Sequence, residues 1–215
     1  MSLKPRLRIR DYNPIQTTFS YCLIWVYREP FLGSGAVLAA LRPPTAISSD
    51  CFGPLIEIWQ ALRERPKELI EWYRTRYERF QKLGKPDGYE AIKADYNGKP
   101  NGPDLLFLCR SCYGGVMRFR KIDGYMSTPC GVHDPISPTA FSKRVEIWRR
   151  RTSGAEFHCL DFSDAFTASG YNDLIYCDPL YSDSQSIWRS MLRRFQRSGE
   201  TLEDEEVHDR LLLTY

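Results

Sequence analysis

No apolar run in the 215-residue sequence is long enough to cross a membrane. The longest, Tyr21 to Tyr27, meets Arg28 and Glu29 well short of the roughly 18 to 20 residues that a spanning helix needs. An excess of one charge is also missing, with 30 Lys and Arg against 27 Asp and Glu, so the net charge of +3 does not by itself argue for nucleic acid. The basic start, with Lys4, Arg6, Arg8 and Arg10, is followed by no apolar core of a signal peptide, and a secretory signal is not expected. There is no internal repeat and no compositional bias of the collagen, coiled-coil or disordered kind. Seven cysteines, an odd number in a chain able to bury its own core, suit a reducing compartment better than a disulfide framework, which predicts a soluble cytoplasmic protein.

What is present is unevenly placed. From Arg110 to Arg151 nine basic residues (Arg110, Arg118, Arg120, Lys121, Lys143, Arg144, Arg149, Arg150, Arg151) face only Asp123, Asp134 and Glu146, a local excess of six positive charges. The sign reverses at Glu203, Asp204, Glu205 and Glu206. A basic middle suits phosphates, although a run such as Arg149 to Arg151 is also what the solvated end of a helix looks like.

Tyr21 to Tyr27 has the composition of a strand buried on both faces, and it breaks into Glu29-Pro30-Phe31-Leu32-Gly33-Ser34-Gly35. Ala36 to Leu41 reads as a short helix ended by Pro43 and Pro44, and Ala46 to Ser49 as a strand ending at Asp50. Strand, glycine loop, helix, strand and acid form the first unit of a doubly wound α/β sheet. Helical apolar spacing follows over Pro54 to Glu64 and Pro66 to Leu83, then a weaker helical piece between the turn clusters 86–88 and 97–103. Leu105 to Leu108 is a buried segment of undetermined type. Irregular chain runs to Ser137 and Pro138, an N-cap and first helical residue for a helix reaching Arg151. Strand signals return at Phe157 to Leu160 and Leu174 to Cys177. The expected organisation is therefore an α/β domain made of residues 1–54 and 156–215, with residues 55–155 inserted.

Three groups of residues could carry chemistry. Gly33-Ser34-Gly35 lets a ligand approach the backbone at the start of a helix, and Asp50 stands where a carboxylate can accept hydrogen bonds from a ribose diol. A ligand-free turn and a structural helix cap are the plainer accounts of each. Asp178-Pro179-Leu180-Tyr181 follows an apolar strand, at the end where open α/β sheets bind ligands, and an Asp-Pro turn without function would look the same. Cys109-x2-Cys112, seventeen residues, and Cys130-x2-His133 approach zinc-ribbon spacing, against the alternative that Cys109 is a core thiol in an apolar run. His158 and His208 have no partner pattern.

The sequence resembles the Dam-like, D12 class DNA adenine N6-methyltransferases. In that family a strand leads into Glu-Pro-Phe-x-Gly-x-Gly, matched in full by Glu29 to Gly35, and a later strand leads into Asp-Pro-Pro-Tyr, matched by Asp178 to Tyr181 with one change. Asp161-Phe162 stands seventeen residues before Asp178, and the segment Phe107 to Phe119 is similar to the family's stretch between the motifs. The resemblance covers about residues 28 to 186.

That resemblance implies a Rossmann-like sheet and transfer of a methyl group from S-adenosylmethionine to the exocyclic amine of adenine in DNA. It places Glu29, Pro30, Phe31, Gly33 and Gly35 at the donor, Asp50 at its ribose, and Asp161 and Phe162 at its adenine. The target amine is a poor nucleophile, because its lone pair is delocalised into the ring. Asp178 and the carbonyl of Pro179 are implied to accept its hydrogen bonds, and Tyr181 to stack on the flipped base. The donor is already activated, so orientation does most of the rest and no metal is required. The insert is implied to carry target recognition, with Arg110, Arg118, Arg120 and Lys121 as phosphate or base contacts; pairing with nearby acids is the alternative for each.

Three departures count against full activity. Leu180 replaces the second proline of the motif, so a φ restraint is lost and an N–H is gained. Leu7 to Asn13 occupies the place of the family's Pro-Gly-Gly-Lys donor loop without matching it. Only 34 residues follow Tyr181, enough for a helix at Trp188 to Arg197 and at most one short strand at Leu211 to Tyr215. The expected sheet is incomplete on its C-terminal side, with an apolar edge bare unless a homodimer covers it. A catalytically impaired, nucleic-acid-binding remnant of the family is the second expectation, and a zinc-ribbon module the third.

Overall fold

The computed structural model describes residues 26–170 and 173–178 and the backbone of 211–213. Val26 lies outside the first strand, which is β1 (Tyr27–Glu29); the rest of the apolar run from Tyr21, like the expected helix at 188–197, lies outside the described residues. The chain continues through α1 (Ala36–Leu41), β2 (Ala46–Asp50), α2 (Gly53–Glu64), α3 (Pro66–Leu83), α4 (Asp87–Gly98), α5 (Gly102–Ser111), α6 (Pro138–Arg151), β3 (Ala155–Cys159), α7 (Phe162–Thr167), β4 (Leu174–Cys177) and β5 (Leu211–Leu213).

Five strands form one sheet in the order β3-β2-β1-β4-β5, every pair parallel. The chain leaves β1 for β2 and β3 on one side, then returns to place β4 on the other. The direction of winding therefore switches between β1 and β4, and the crevice outside the carboxyl ends of those two strands is where such a sheet binds ligands. A buried ion pair fixes this junction, Arg28 Nε donating to Asp173 Oδ2 at 2.5 Å. β5, the short strand expected within Leu211 to Tyr215, pairs with β4 through Ile175↔Leu211 and forms that edge of the described sheet.

The helices follow from local signals. Ser137 caps α6 by accepting from the Ala140 N–H at 3.2 Å, with Pro138 at its first position. Leu105 to Leu108 belongs to a helix because Asn101 caps α5, its Oδ1 accepting from Asp104 N at 2.8 Å. The segment shows no amphipathic period because α2, α3 and α4 enclose it from several sides. α2 packs on β2 and β3, with Trp59 stacked on Phe157 at 5.2 Å and in edge contact with Trp148 of α6 at 5.6 Å. The helical region and one face of the sheet thus share a single apolar core that runs from Tyr27 through Trp59 and Phe107 to Phe157.

The stretch from Tyr113 to Pro138 contains a 3-10 turn, Tyr113–Gly115, and a small hairpin closed by an antiparallel bridge between Phe119 and Met126. Asn97 of α4 anchors the hairpin, accepting from Met126 N at 2.7 Å and donating to Met126 O at 3.2 Å. No helix among the described residues is long and apolar enough to cross a membrane.

Candidate active site at the carboxyl ends of the strands

Parallel strands place the residues that follow them at one edge, and here that edge gathers Glu29, Asp50, Asp161 and Asp178 after β1, β2, β3 and β4. The glycine loop between Glu29 and α1 is held from three directions. Leu32 N donates to Ser49 O at 2.9 Å, Gly33 N to Asp50 Oδ2 at 3.1 Å, and Trp59 Nε1 to Gly33 O at 3.2 Å. Gly33 and Gly35 have φ of 47° and 59°, the left-handed region that glycine adopts without a side-chain penalty. A Cβ on Gly35 would lie 2.6 Å from the Trp59 ring, whereas a Cβ on Gly33 would meet nothing nearer than the Phe31 carbonyl at 4.0 Å. The loop is thus closed on its inner side and open on its outer side at Gly33.

Asp50 is half-buried and accepts from Gly33 N and, through Oδ1, from Phe52 N at 3.0 Å. Both bonds fix the carboxylate relative to the loop, and an ionised carboxylate with about four lone-pair sites keeps capacity for a ligand hydroxyl. Asp161 is exposed and caps α7 by accepting from Ser163 N at 2.9 Å. Phe162, next to it, stacks on Phe31 of the loop with centroids 5.4 Å apart. The two segments are joined by this contact.

Glu29 points inward and is 3% exposed; Pro30 is buried beside it. Burial pushes the Glu29 carboxyl up to about 8, opposed by hydrogen bonds from the Tyr27 hydroxyl, 3.0 Å from Oε2, and from the Leu38 N–H, with Asp178 adding to the rise. The Leu38 N–H is one of the free donors in the first turn of α1, so Glu29 caps the helix that the Gly35 backbone starts without a side-chain cap. Cys177 and Tyr27 are buried against the same carboxyl, and burial pushes both well above their ordinary values. Asp178 is exposed at the mouth of this cluster. Pro179, Leu180 and Tyr181 lie outside the described residues.

Of the basic candidates, Arg118, Arg120 and Lys121 are exposed together on the hairpin. Arg120 is held by Asp123 at 2.5 Å and lies 4.3 Å from the Tyr125 ring centroid. Phe119, between them, meets Phe52 edge-on at 5.5 Å, two residues beyond Asp50, so the hairpin stands beside the carboxyl edge of the sheet. Arg110 is placed elsewhere, over the Phe141 ring of α6 at 5.1 Å. Trp59 and the Phe52–Phe119 contact were not among the predicted site residues. Both are contacts between residues far apart in the chain, and an aromatic on an amphipathic helix carries no local sign of them.

The cysteine pattern is brought together in part. Cys112 and Cys130 are bridge partners, while the Cys109 thiol donates to Leu105 O at 2.9 Å and burial pushes it up to about 11. Among the described residues no three His, Cys, Asp or Glu side chains stand as a metal-holding group.

Comparison with known proteins agrees with this geometry. The family described as D12 class N6 adenine-specific DNA methyltransferase matches residues 13–199. The chain is 28% identical over 159 residues to the DNA N-6-adenine-methyltransferase of Escherichia phage P1, covering 71% of this chain and 20% of that protein. It is 26% identical over 194 residues to the retron Ec67 DNA adenine methylase of Escherichia coli, covering 87% of this chain and 63% of the relative. A DNA adenine methylase of Haemophilus influenzae is 26% identical over 204 residues, 86% of this chain and 68% of that one.

Proposed function

The chain belongs to the D12 class N6 adenine-specific DNA methyltransferase family, and from that premise we propose that it transfers a methyl group from S-adenosylmethionine to N6 of adenine in DNA. The observation that carries the proposal is the strand order, which sets β1 with its glycine loop beside β4 with Asp178, at the point where the sheet changes direction. The residues suit the donor: an open glycine turn at Gly33, a fixed carboxylate at Asp50, and an exposed carboxylate at Asp161 beside the Phe31–Phe162 stack. When bound, the donor supplies a methyl group already activated on a sulfonium.

The chain's own part is to hold the adenine amine. Asp178 accepts hydrogen bonds from the amine, with the Pro179 carbonyl as second acceptor, so the nitrogen lone pair is drawn out of conjugation and turned toward the methyl group. Tyr181 stacks on the base once it has left the duplex. Glu29 keeps α1 and the glycine loop in register beneath this site. The inserted region, 55–155, carries target recognition, with the hairpin residues Arg118, Arg120 and Lys121 reaching the DNA at the site edge and Arg110 a separate contact on its flank. A cytoplasmic location is part of the same reading, supported by DNA as the substrate and by an odd count of seven cysteines.

The deciding experiment incubates labelled donor with unmethylated DNA and either the native chain or Asp178→Ala, followed by nucleoside analysis. Label in N6-methyladenine with the native chain, reduced at least about a hundredfold in the variant while donor binding is kept, is the expected result. Leu180 in place of the motif's second proline favours a second reading, an impaired nucleic-acid-binding remnant. Folded protein that binds DNA but transfers no label would establish that reading instead.

A further inference from the structure

We infer that α6 carries a second surface for the phosphate backbone of duplex DNA, independent of sequence and separate from the hairpin at the site edge. On α6 the buried Phe141 and Val145 share one face with the half-buried Trp148, and the buried Thr152 that ends the helix continues it. At 100° per residue Lys143, Arg144, Arg150 and Arg151 lie within about 60° of the exposed Ile147, on a flank about 130° round from the buried face, with Arg151 half-buried and Glu146 about 100° away on the far side. Glu146 is the only acid in the helix.

Arg65 and the arginines of α2 and α3 behave differently. Arg63, Arg65, Arg74, Arg76 and Arg79 each pair with a carboxylate, whereas among the described residues Lys143, Arg144, Arg149, Arg150 and Arg151 form no ion pair. Interaction with the carboxyl-terminal dipole of α6 accounts for cations in the last turn, but its effect dies away within that turn and does not reach Lys143 and Arg144. Like charges kept side by side without partners repel, and a row of phosphates removes that cost.

The size and shape agree with a backbone. Lys143 to Arg151 spans about 12 Å along the helix, the rise of three to four base pairs. At its far end, Arg149 and Arg150 join Arg63 of α2 and Ser153 around an open cavity of about 330 Å³, in which Glu146 is the one acid. The Thr152 hydroxyl there donates to Trp148 O at 2.9 Å. α6 leads into the amino end of β3, so this end of the surface lies at the edge of the sheet opposite Asp50 and Asp161. DNA held here is held away from the reacting base.

The choice of DNA as the polyanion rests on the proposed function; the surface itself does not. The test measures binding of a fluorescent duplex lacking any methyl donor, across a salt series, for the full chain and for Lys143→Gln/Arg144→Gln/Arg150→Gln/Arg151→Gln. The slope of log K against log salt should become shallower by roughly 3 to 4, with methyl transfer at saturating DNA retained. Arg144→Lys/Arg150→Lys/Arg151→Lys, which keeps the charge, should hold the original slope and shows that loss of fold is not the cause. An unchanged slope in the glutamine variant overturns the inference and leaves the proposed function standing. A native chain that binds duplex DNA with this slope but transfers no methyl group removes the proposed activity and leaves the surface. A native chain with no affinity for DNA removes both.

Discussion

In the glycine loop, Gly33 is tied through both backbone groups, its N–H to Asp50 and its carbonyl to Trp59, and the next glycine leaves no room for a side chain. In the hairpin a few residues away in space, backbone bonds join its own two arms, from Arg120 N to Tyr125 O, Gly124 N to Arg120 O and Ser127 N to Arg118 O, and the tip residue Ile122 is 92% exposed. One region is positioned by the core along its whole length, the other only at its base, where Met126 is buried, Asn97 and Tyr89 bond the backbone and Phe119 meets Phe52, while its tip stands free of the core. The difference follows from what each must meet. On the proposed function, a small donor at the loop is best met by a preorganised surface, whereas a duplex that has to open at the hairpin needs charged groups that can follow it.

If that contrast holds, substitutions in the loop change stability and substitutions in the hairpin change only binding. The largest effect should come from Glu29→Gln. The folded carboxyl sits at about 8 against an ordinary value of 4.5, so its buried protonated form supports the fold fully below the unfolded value, and that support is lost as pH rises through the window to about 8. Gln has no charge to desolvate and its amide oxygen can still accept from Leu38. The variant should therefore match the native chain at pH 4 and exceed it by up to about 4 kcal/mol at pH 8, read from denaturant melts across that range. A pH-independent difference would mean that Glu29 is not a buried acid. A stabilising change at this place would also show that the carboxyl is kept for the site rather than for the fold.

Next is Gly35→Ala. The left-handed backbone costs an alanine about 1 kcal/mol, and the overlap with Trp59 adds an overpacking cost of about 2 kcal/mol. Combining it with Trp59→Leu should return about 1 kcal/mol of coupling, because the ring is the obstacle. A single variant that loses less than about 1 kcal/mol in the same melts would show the loop to be free of the core, and the contrast with the hairpin would fail.

How much of this was legible in the sequence depends on the distance over which each feature is specified. Ser137 and Pro138 announce α6 because a cap acts within four residues, and the bounds of α3 and β4 are equally local. Leu105 to Leu108 could not be assigned because enclosure on several sides erases the amphipathic period. A short strand within Leu211 to Tyr215 could be expected but its pairing with β4 could not, because register is a property of two strands. In the site, the motif residues were legible as chemistry, yet the inward turn of Glu29 was not, since a glutamate in a loop gives no sign of burial. Charge showed that residues 110–151 were basic but could not separate the hairpin from α6, where Arg110 lies over Phe141.

The smallest effect on stability, and the sharpest test of the contrast, is the triple variant Arg118→Gln/Arg120→Gln/Lys121→Gln. All three side chains are exposed, and the one ion pair among them, Arg120 with Asp123, is a surface pair between neighbours in one turn. Such pairs contribute little, so the variant should melt within about 0.5 kcal/mol of the native chain. Its DNA binding should nonetheless lose roughly three units of salt slope, one for each phosphate contact. If the hairpin and α6 touch DNA independently, combining the triple variant with the glutamine changes on α6 should add the two losses. A hairpin variant that unfolds early would make the turn part of the core, and a slope that stays constant would leave α6 as the only electrostatic contact. Either outcome would dissolve the division between a packed donor site and a charged recognition element, and the retained pairing of Phe119 with Phe52 would then be the reason to look for one mechanical unit spanning both.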